Sequence, residues 1–226
     1  MNSDWAKVMR AVFLKELRSE TQHRGGLLTT LLVGLVIMTG LGFAANGDEL
    51  TPKVVAGLIV AGLLFTSLLS IPRLYLVEED QGTLPLLRMV ASPEAIFSGK
   101  FLFGWVQTIA LNLFLAFLFV VLMDASVHVW WTFIGAIVLE STTFVATCCL
   151  SGILVLGASG RWMLVTVVAG SLLLPQTALA VHLLKFSFGR FPGQDPLVAA
   201  VGMAGFALSS IAVGYLLARP LLGRKD

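Results

Sequence analysis

Six long apolar runs divide the sequence, and short polar or Gly- and Pro-rich segments separate them. Each run approaches the roughly 20 residues that an α-helix needs to cross a hydrocarbon core about 30 Å thick. The pattern therefore predicts six transmembrane helices. The predicted spans are Leu27–Ala45, Val54–Leu76, Phe101–Met123, Trp131–Leu156, Met163–Leu184 and Leu197–Ala218.

The first 26 residues follow a different pattern, with an apolar stripe at helical spacing. Trp5, Val8, Met9, Val12 and Phe13 fall on one side of a helix. An amphipathic helix of this kind lies in the membrane interface. Four charged residues complete the segment, and they are Lys15, Glu16, Arg18 and Glu20. The lysine and arginine fall opposite the stripe, whereas both glutamates share its side. One interpretation is that the helix leaves the membrane after Phe13, and the other is that the glutamates face protein, such as a basic residue of a loop.

The composition agrees with a membrane protein. Of the 226 residues, 57% are hydrophobic and only 12% are charged, whereas soluble domains carry about twice that share of charge. No connecting segment is long enough for a soluble domain. We therefore expect an all-α membrane protein with one transmembrane domain over residues 1–226. It would comprise an interfacial helix (1–26), six spans (27–218) and a long loop between the second and third spans (73–100).

Basic residues are concentrated on one side of these spans. Twelve of the 15 lysines and arginines lie in the N-terminal segment, the second and fourth loops and the C-terminus, and three lie on the other side. Those three are Lys53, Lys185 and Arg190. Because cytoplasmic segments carry the excess of Lys and Arg, both termini and the 73–100 loop are predicted to be cytoplasmic.

The 73–100 loop has a distinctive order of charged, flexible and apolar residues. Glu78, Glu79 and Asp80 precede Gly82, and a short apolar run with Leu84 and Leu87 follows. Such a segment could be an ordinary solvated loop or a docking element for a cytoplasmic partner. Composition alone does not separate these two interpretations.

This loop resembles the coupling segment of ABC-2-like permeases, the membrane subunits of one class of ATP-binding cassette (ABC) exporters. The matching positions in the loop are Glu78, Gly82, Leu84, Leu87, Pro93, Gly99 and Lys100. More specifically, the chain resembles the haem exporter protein B family (CcmB) of the cytochrome c maturation system. The further matching positions are Lys15 to Arg18 with Glu20, Leu68 to Ser70 with Arg73, Leu156-Gly157 and Leu172 to Pro175.

The resemblance implies partners rather than an enzymatic activity. It implies an ABC-2-like permease architecture in a bacterial inner membrane, pairing with a second copy, with a cytoplasmic ABC ATPase and with a haem-handling membrane subunit. It further implies that ATP, bound by the partner ATPase, drives the release of a haem-loaded chaperone. The sequence itself contains no G-x-x-x-x-G-K-[ST] phosphate-binding motif, so a separate ATPase is expected. No stably bound cofactor is expected, and haem would be cargo.

Glu140 is the ionisable residue deepest within a predicted span. It lies nine residues into the fourth span, about 13 Å deep at 1.5 Å per residue. An acidic residue at such depth indicates a functional role as the first hypothesis. The alternative is that it is a neutral, hydrogen-bonded packing residue. In either case it is expected to face the helix bundle or a subunit interface. The adjacent Cys148 and Cys149 are interpreted as small apolar packing residues.

Three histidines are candidate haem ligands, because imidazole is a common axial ligand. His128 lies beside Trp130 and Trp131 at the outer surface, where a polar interfacial role is the alternative. His182 precedes the last outer loop, and His23 lies on the cytoplasmic side.

Other classes of protein match parts of the sequence. The segment Gly157 to Gly160 matches the G-x-S-G motif of intramembrane serine proteases. However, Ser159 would need a histidine within hydrogen-bond reach, and His182 lies 23 residues on, about 34 Å along a helix. The protease is therefore excluded. An exporter of a lipid, glycan or drug, and a membrane scaffold that transports nothing, both remain as alternatives.

Overall fold

The computed structural model describes residues 2–22, 25–45 and 50–223, and those residues form helices without any strand. The first two helices are α1 (Asn2–Gln22) and α2 (Gly25–Ala45). The next four are α3 (Pro52–Ser70), α4 (Arg73–Asp80), α5 (Leu84–Val90) and α6 (Pro93–Leu122). The last three are α7 (Trp130–Leu154), α8 (Arg161–Leu184) and α9 (Pro196–Leu222), with a 3-10 turn at Lys185–Ser187.

Six segments in this described part are long and apolar enough to cross a bilayer, as the sequence predicts. Five of them contain the helices α2, α6, α7, α8 and α9, and the remaining one runs from Pro52 to Asp80. The chain is thus an all-α, multi-span membrane protein.

The second span, predicted as Val54–Leu76, is broken near its end and is not one straight helix. α3 ends at Ser70, a turn forms at Ile71 and Pro72, and α4 begins at Arg73. Proline has no N–H to donate to the preceding turn, and its ring crowds the carbonyl four residues earlier. α4 therefore forms a separate short helix after the break.

α6 begins earlier than the sequence pattern predicts. It begins at Pro93 instead of Phe101 and continues without a break to Leu122. Lys100 therefore lies within this helix and not at the end of a loop. The end of the predicted 73–100 loop and the third membrane span consequently form one continuous helix.

The core of the molecule surrounds α7, which packs against α6, α8 and α9. Most of the side chains between Phe144 and Ile153 are buried, including Cys148 and Cys149, which are free thiols. The two cysteines are therefore packing residues, as expected. Most of α2, α8 and α9, by contrast, presents apolar side chains outward, as helices in contact with lipid do.

Candidate functional site

A buried lysine joins three helices at one end of the bundle. Lys100 of α6 has no exposed surface. Its Nζ lies 2.7 Å from Oε1 of Glu16 in α1 and 2.9 Å from Oε2 of Glu78 in α4. The first contact is a hydrogen bond, whereas the second is an ion pair without hydrogen-bond geometry. Lys100 also donates to the backbone carbonyl of Leu74. One cation therefore holds α1, α4 and α6 together.

Lys15 completes this cluster and balances its charge. Its Nζ lies 3.2 Å from Oε1 of Glu16 and forms an ion pair with Glu78. Burial lowers the pKa of Lys15, and the neighbouring carboxylate of Glu16 opposes that shift. With two lysines and two glutamates the cluster is formally neutral, which a buried ionic group requires because an unpaired buried charge is strongly destabilising. Lys15, Glu16, Glu78 and Lys100 are called the ion cluster below.

A glycine makes this arrangement possible. A side chain at Gly99 would come within 2.8 Å of Val12 and 2.9 Å of the Met9 carbonyl oxygen. α1 therefore crosses α6 at close range, which places Glu16 beside Lys100. One of the two interpretations of Glu16 on the apolar face of α1 was a basic partner in protein, and this contact is of that kind. The Gly99-Lys100 pair thus has a physical explanation. The glycine allows α1 to approach closely, and the lysine forms a hydrogen bond with Glu16 of α1.

The other charges of α1 have separate roles. Glu20 accepts a hydrogen bond from the backbone N–H of Leu27 and so caps the first turn of α2. A carboxylate at this end of a helix is favourable because it satisfies a free N–H and complements the helix dipole. Arg18 is exposed. Glu20 therefore links the end of α1 to the first turn of α2.

α4 and α5 are connected by a tight turn at Gly82, whose φ is +66°. Only glycine adopts this left-handed conformation without strain. The backbone N–H groups of Gly82 and Thr83 donate to the carbonyls of Glu79 and Glu78, which closes the end of α4. The direction of α5 is thus set by the turn and by the helix that carries Glu78.

The residues of the predicted coupling segment separate into inward and outward groups. Leu84 is buried in the core cluster and Glu78 lies in the ion cluster, so neither is available to a partner. Leu87 is half-buried, and Glu79 is half-buried without an ion pair to any described residue. The exposed apolar side chains of α5 are Leu86 (63% exposed), Met89 (73%) and Val90 (79%). The sequence pattern did not identify Met89 and Val90 as surface residues of this segment. They point outward because of the direction that the turn at Gly82 gives to α5.

Two further ion pairs tie the same end of the bundle together. Asp80 pairs with Arg161 and accepts a hydrogen bond of 2.9 Å from Nε1 of Trp162. Glu94, at the start of α6, pairs with Arg219 near the end of α9. These basic residues were all assigned to one side of the membrane from the sequence. The structure brings them together at one end of the bundle.

Glu140 lies inside the bundle on α7, only 1% exposed, and not towards lipid. Neither of its carboxyl oxygens has a hydrogen-bond partner in the described part of the chain. Next to it, Nδ2 of Asn112 donates to Oγ of Ser141 over 3.0 Å. α7 therefore carries polar groups at the middle of the bundle.

A second polar group within the bundle was not anticipated. Nε2 of Gln176 in α8 donates to Oγ1 of Thr147 in α7 over 2.8 Å. Oγ1 of Thr147 also lies 3.3 Å from Oγ of Ser210 in α9. Interhelical hydrogen bonds of this kind hold membrane helices together where no hydrophobic effect acts between them. The sequence signal was a glutamine directly after Pro175 within an apolar run.

The histidines are not brought together into one site in the part of the chain that the structure describes. His128 is exposed, and its backbone N–H donates to the carbonyl of Ser187 over 2.8 Å. The His182 ring packs edge-on against Phe186, with 5.6 Å between ring centroids. His23 lies outside the described residues. Ser159 and His182 lie near opposite ends of α8, as their spacing required.

The fold and this site define a polytopic α-helical membrane protein in which buried ion pairs link helices at one end of the bundle. Sequence comparison then identifies the family. The family model described as "CcmB protein" matches residues 7–217. The chain therefore belongs to the CcmB family.

Two relatives are similar over most of their length. Heme exporter protein B of Rhodobacter capsulatus is 30% identical over 185 residues, covering 80% of each chain. Heme exporter protein B of Paracoccus denitrificans is 27% identical over 216 residues, covering 91% of this chain and 94% of the relative. The four residues of the ion cluster lie within the matched range, residues 7–217.

Proposed function

We propose that this protein is the membrane subunit of an ABC-type complex that handles haem during cytochrome c maturation. The names of both relatives support haem as the cargo of the complex. In the proposal, a separate cytoplasmic ATPase binds and hydrolyses ATP, and the complex releases a haem-loaded chaperone. The chain has no phosphate-binding motif of its own and acts by transmitting movement.

The observation that carries the proposal is the link between α5 and the membrane spans. α5 follows α4 after a short turn, and Glu78 of α4 forms ion pairs with Lys15 of α1 and Lys100 of α6. α6 runs without interruption from this cluster to Leu122. A push on α5 would therefore move a rigid span and not a flexible loop.

α5 also offers a surface that suits a partner. Leu86, Met89 and Val90 are exposed on a short helix outside the apolar spans. Exposed apolar residues of this kind form the centre of protein interfaces, and Glu79 beside them would orient the partner and speed encounter. We therefore place the contact with the ATPase on Leu86, Met89, Val90 and the partly exposed Leu87, with Gly82 setting the direction of α5.

The remaining features of the assembly follow from the same proposal. The complex lies in the bacterial inner membrane with both termini in the cytoplasm, because 12 of the 15 basic residues lie on the side of α5. It contains two copies of this chain, the ATPase and a haem-handling membrane subunit. Haem passes as cargo and is not a resident cofactor, and His128 would be a surface contact at most.

Co-purification of the ATPase with α5 variants tests the proposed contact. Leu86→Asp with Val90→Asp is expected to abolish co-purification, because the two changes place charges at the centre of the interface. Ser159→Asp adds charge to an exposed turn on the same side and should leave the ATPase bound. Recovery of the ATPase at the wild-type yield with the double variant would place the contact elsewhere. Transport of another compound by the intact complex would favour the exporter of a lipid, glycan or drug.

A further inference from the structure

Two adjoining cavities lie where α1 meets the membrane spans. One, of about 400 Å³, is lined by residues of α1, α2, α4 and α6, and most of these residues are polar. The other, of about 550 Å³, is an apolar groove between α1, α2 and α6. Glu20 and Gln107 belong to the walls of both. A polar compartment therefore adjoins an apolar one, which is the arrangement that an amphiphile fits.

The polar compartment contains a cation that forms no ion pair with a described carboxylate. Arg73 lines it, and among the described residues no carboxylate pairs with its guanidinium. The carboxylates of Glu16 and Glu78 also line this cavity and are paired with Lys15 and Lys100, and the third carboxylate, that of Glu20, accepts a hydrogen bond from the backbone N–H of Leu27. A guanidinium forms strong, geometrically matched hydrogen bonds with a phosphate. The polar compartment is therefore suited to a phosphate-bearing head group.

The apolar groove is suited to a hydrocarbon chain. Its walls include Phe13 and Leu17 of α1, Leu28 and Leu31 of α2, and Val106 and Ala110 of α6. Leu28 lies in the first turn of a membrane span, and Val106 lies nearly two turns beyond the ion cluster. The groove therefore lies at the depth of the acyl chains nearest the cytoplasmic-side interface. Neither cavity is lined by a described histidine, cysteine or methionine that could ligate haem iron.

We propose that these cavities form one binding site for a glycerophospholipid of the leaflet that contains α1. The lipid phosphate binds Arg73 in the polar compartment, and an acyl chain lies in the groove between α1, α2 and α6. A lipid in this position contacts Lys15, Glu16 and Glu78 and so packs against the ion cluster from the membrane side. This proposal does not depend on the cargo of the complex.

Native mass spectrometry of the full-length protein tests the site. The protein is released from detergent with phosphatidylethanolamine or phosphatidylglycerol added. The wild-type chain is expected to retain one phospholipid and to discriminate against diacylglycerol, which lacks the phosphate. Arg73→Gln should bind the phospholipid about tenfold more weakly, because a hydrogen bond to a charged group is lost. Arg10→Gln removes an exposed cation of α1 outside both cavities and should change nothing.

A second pair of variants tests the groove independently of charge. Ala110→Trp fills the groove and should prevent retention of the lipid, whereas Val121→Trp adds the same side chain to the exposed face of α6 outside it. Equal retention by wild type, Arg73→Gln and Ala110→Trp would overturn the proposal. Equal retention of diacylglycerol and phospholipid by the wild type would also overturn it, as would haem in place of the lipid.

Discussion

Replacing Lys100 with methionine would remove the cation at the centre of the ion cluster while keeping a side chain of similar length. The carboxylates of Glu16 and Glu78 would then face each other with only the half-exposed Lys15 to balance them. Removing one partner of a buried ion pair costs about 3–5 kcal/mol. For a chain of this size each kcal/mol corresponds to about 2–4 °C in melting temperature, so we expect a decrease of roughly 6–20 °C.

The assay is thermal unfolding of the detergent-solubilised protein, followed by size-exclusion chromatography after heating. Lys53→Met removes an exposed lysine near the start of α3 and should leave the melting temperature unchanged. Adding Glu16→Gln to Lys100→Met should recover part of the loss, because one uncompensated carboxylate is removed. A melting temperature of Lys100→Met within about 2 °C of the wild type, well below that range, would refute the structural role of the cluster.

Three further predictions follow from other parts of the structure. A reporter fused after Asp226 should be active only if it works in the cytoplasm, and periplasmic alkaline phosphatase activity there would contradict the orientation. Glu140→Leu should raise the melting temperature by a few degrees, because an unpartnered buried carboxyl is replaced by an apolar side chain, and a lower value would reveal an unseen partner. Arg161→Gln should change the free energy of unfolding by less than about 1 kcal/mol in a denaturant titration, since its pair with Asp80 is exposed, and a larger loss would show that this pair is structural.

The six spans could be read from the sequence because hydrocarbon imposes the same length and apolarity on every membrane helix. The break at Pro72 is harder to predict from the sequence, since proline kinks some membrane helices and ends others. The early start of α6 was not foreseen, because residues 93–100 begin with a proline, contain a glycine and carry the charged residues Glu94 and Lys100. α1 packs against Gly99, and this tertiary contact makes residues 93–100 part of the helix. No local sequence pattern encodes that contact.

The candidate site was foreseen in its residues but not in its contacts. A basic partner in protein was one of two interpretations of Glu16 on the apolar face of α1, and the G-K pair was visible as a motif. That Lys100 is the partner, and that Glu78 joins them, depends on three helices meeting and cannot be obtained from periodicity. For the same reason Glu78 and Leu84 were expected at the docking surface, whereas they lie inside the subunit and Met89 and Val90 lie outside.

The most direct test of the central proposal is the ATP-dependent release of haem-loaded chaperone from the reconstituted complex in lipid vesicles. With the wild-type chain, release should keep pace with ATP hydrolysis. With Leu86→Asp and Val90→Asp in a normally inserted chain, release should fall to the rate without ATP. Release at the wild-type rate by this double variant would contradict the proposal that α5 transmits the movement of the ATPase to the membrane spans.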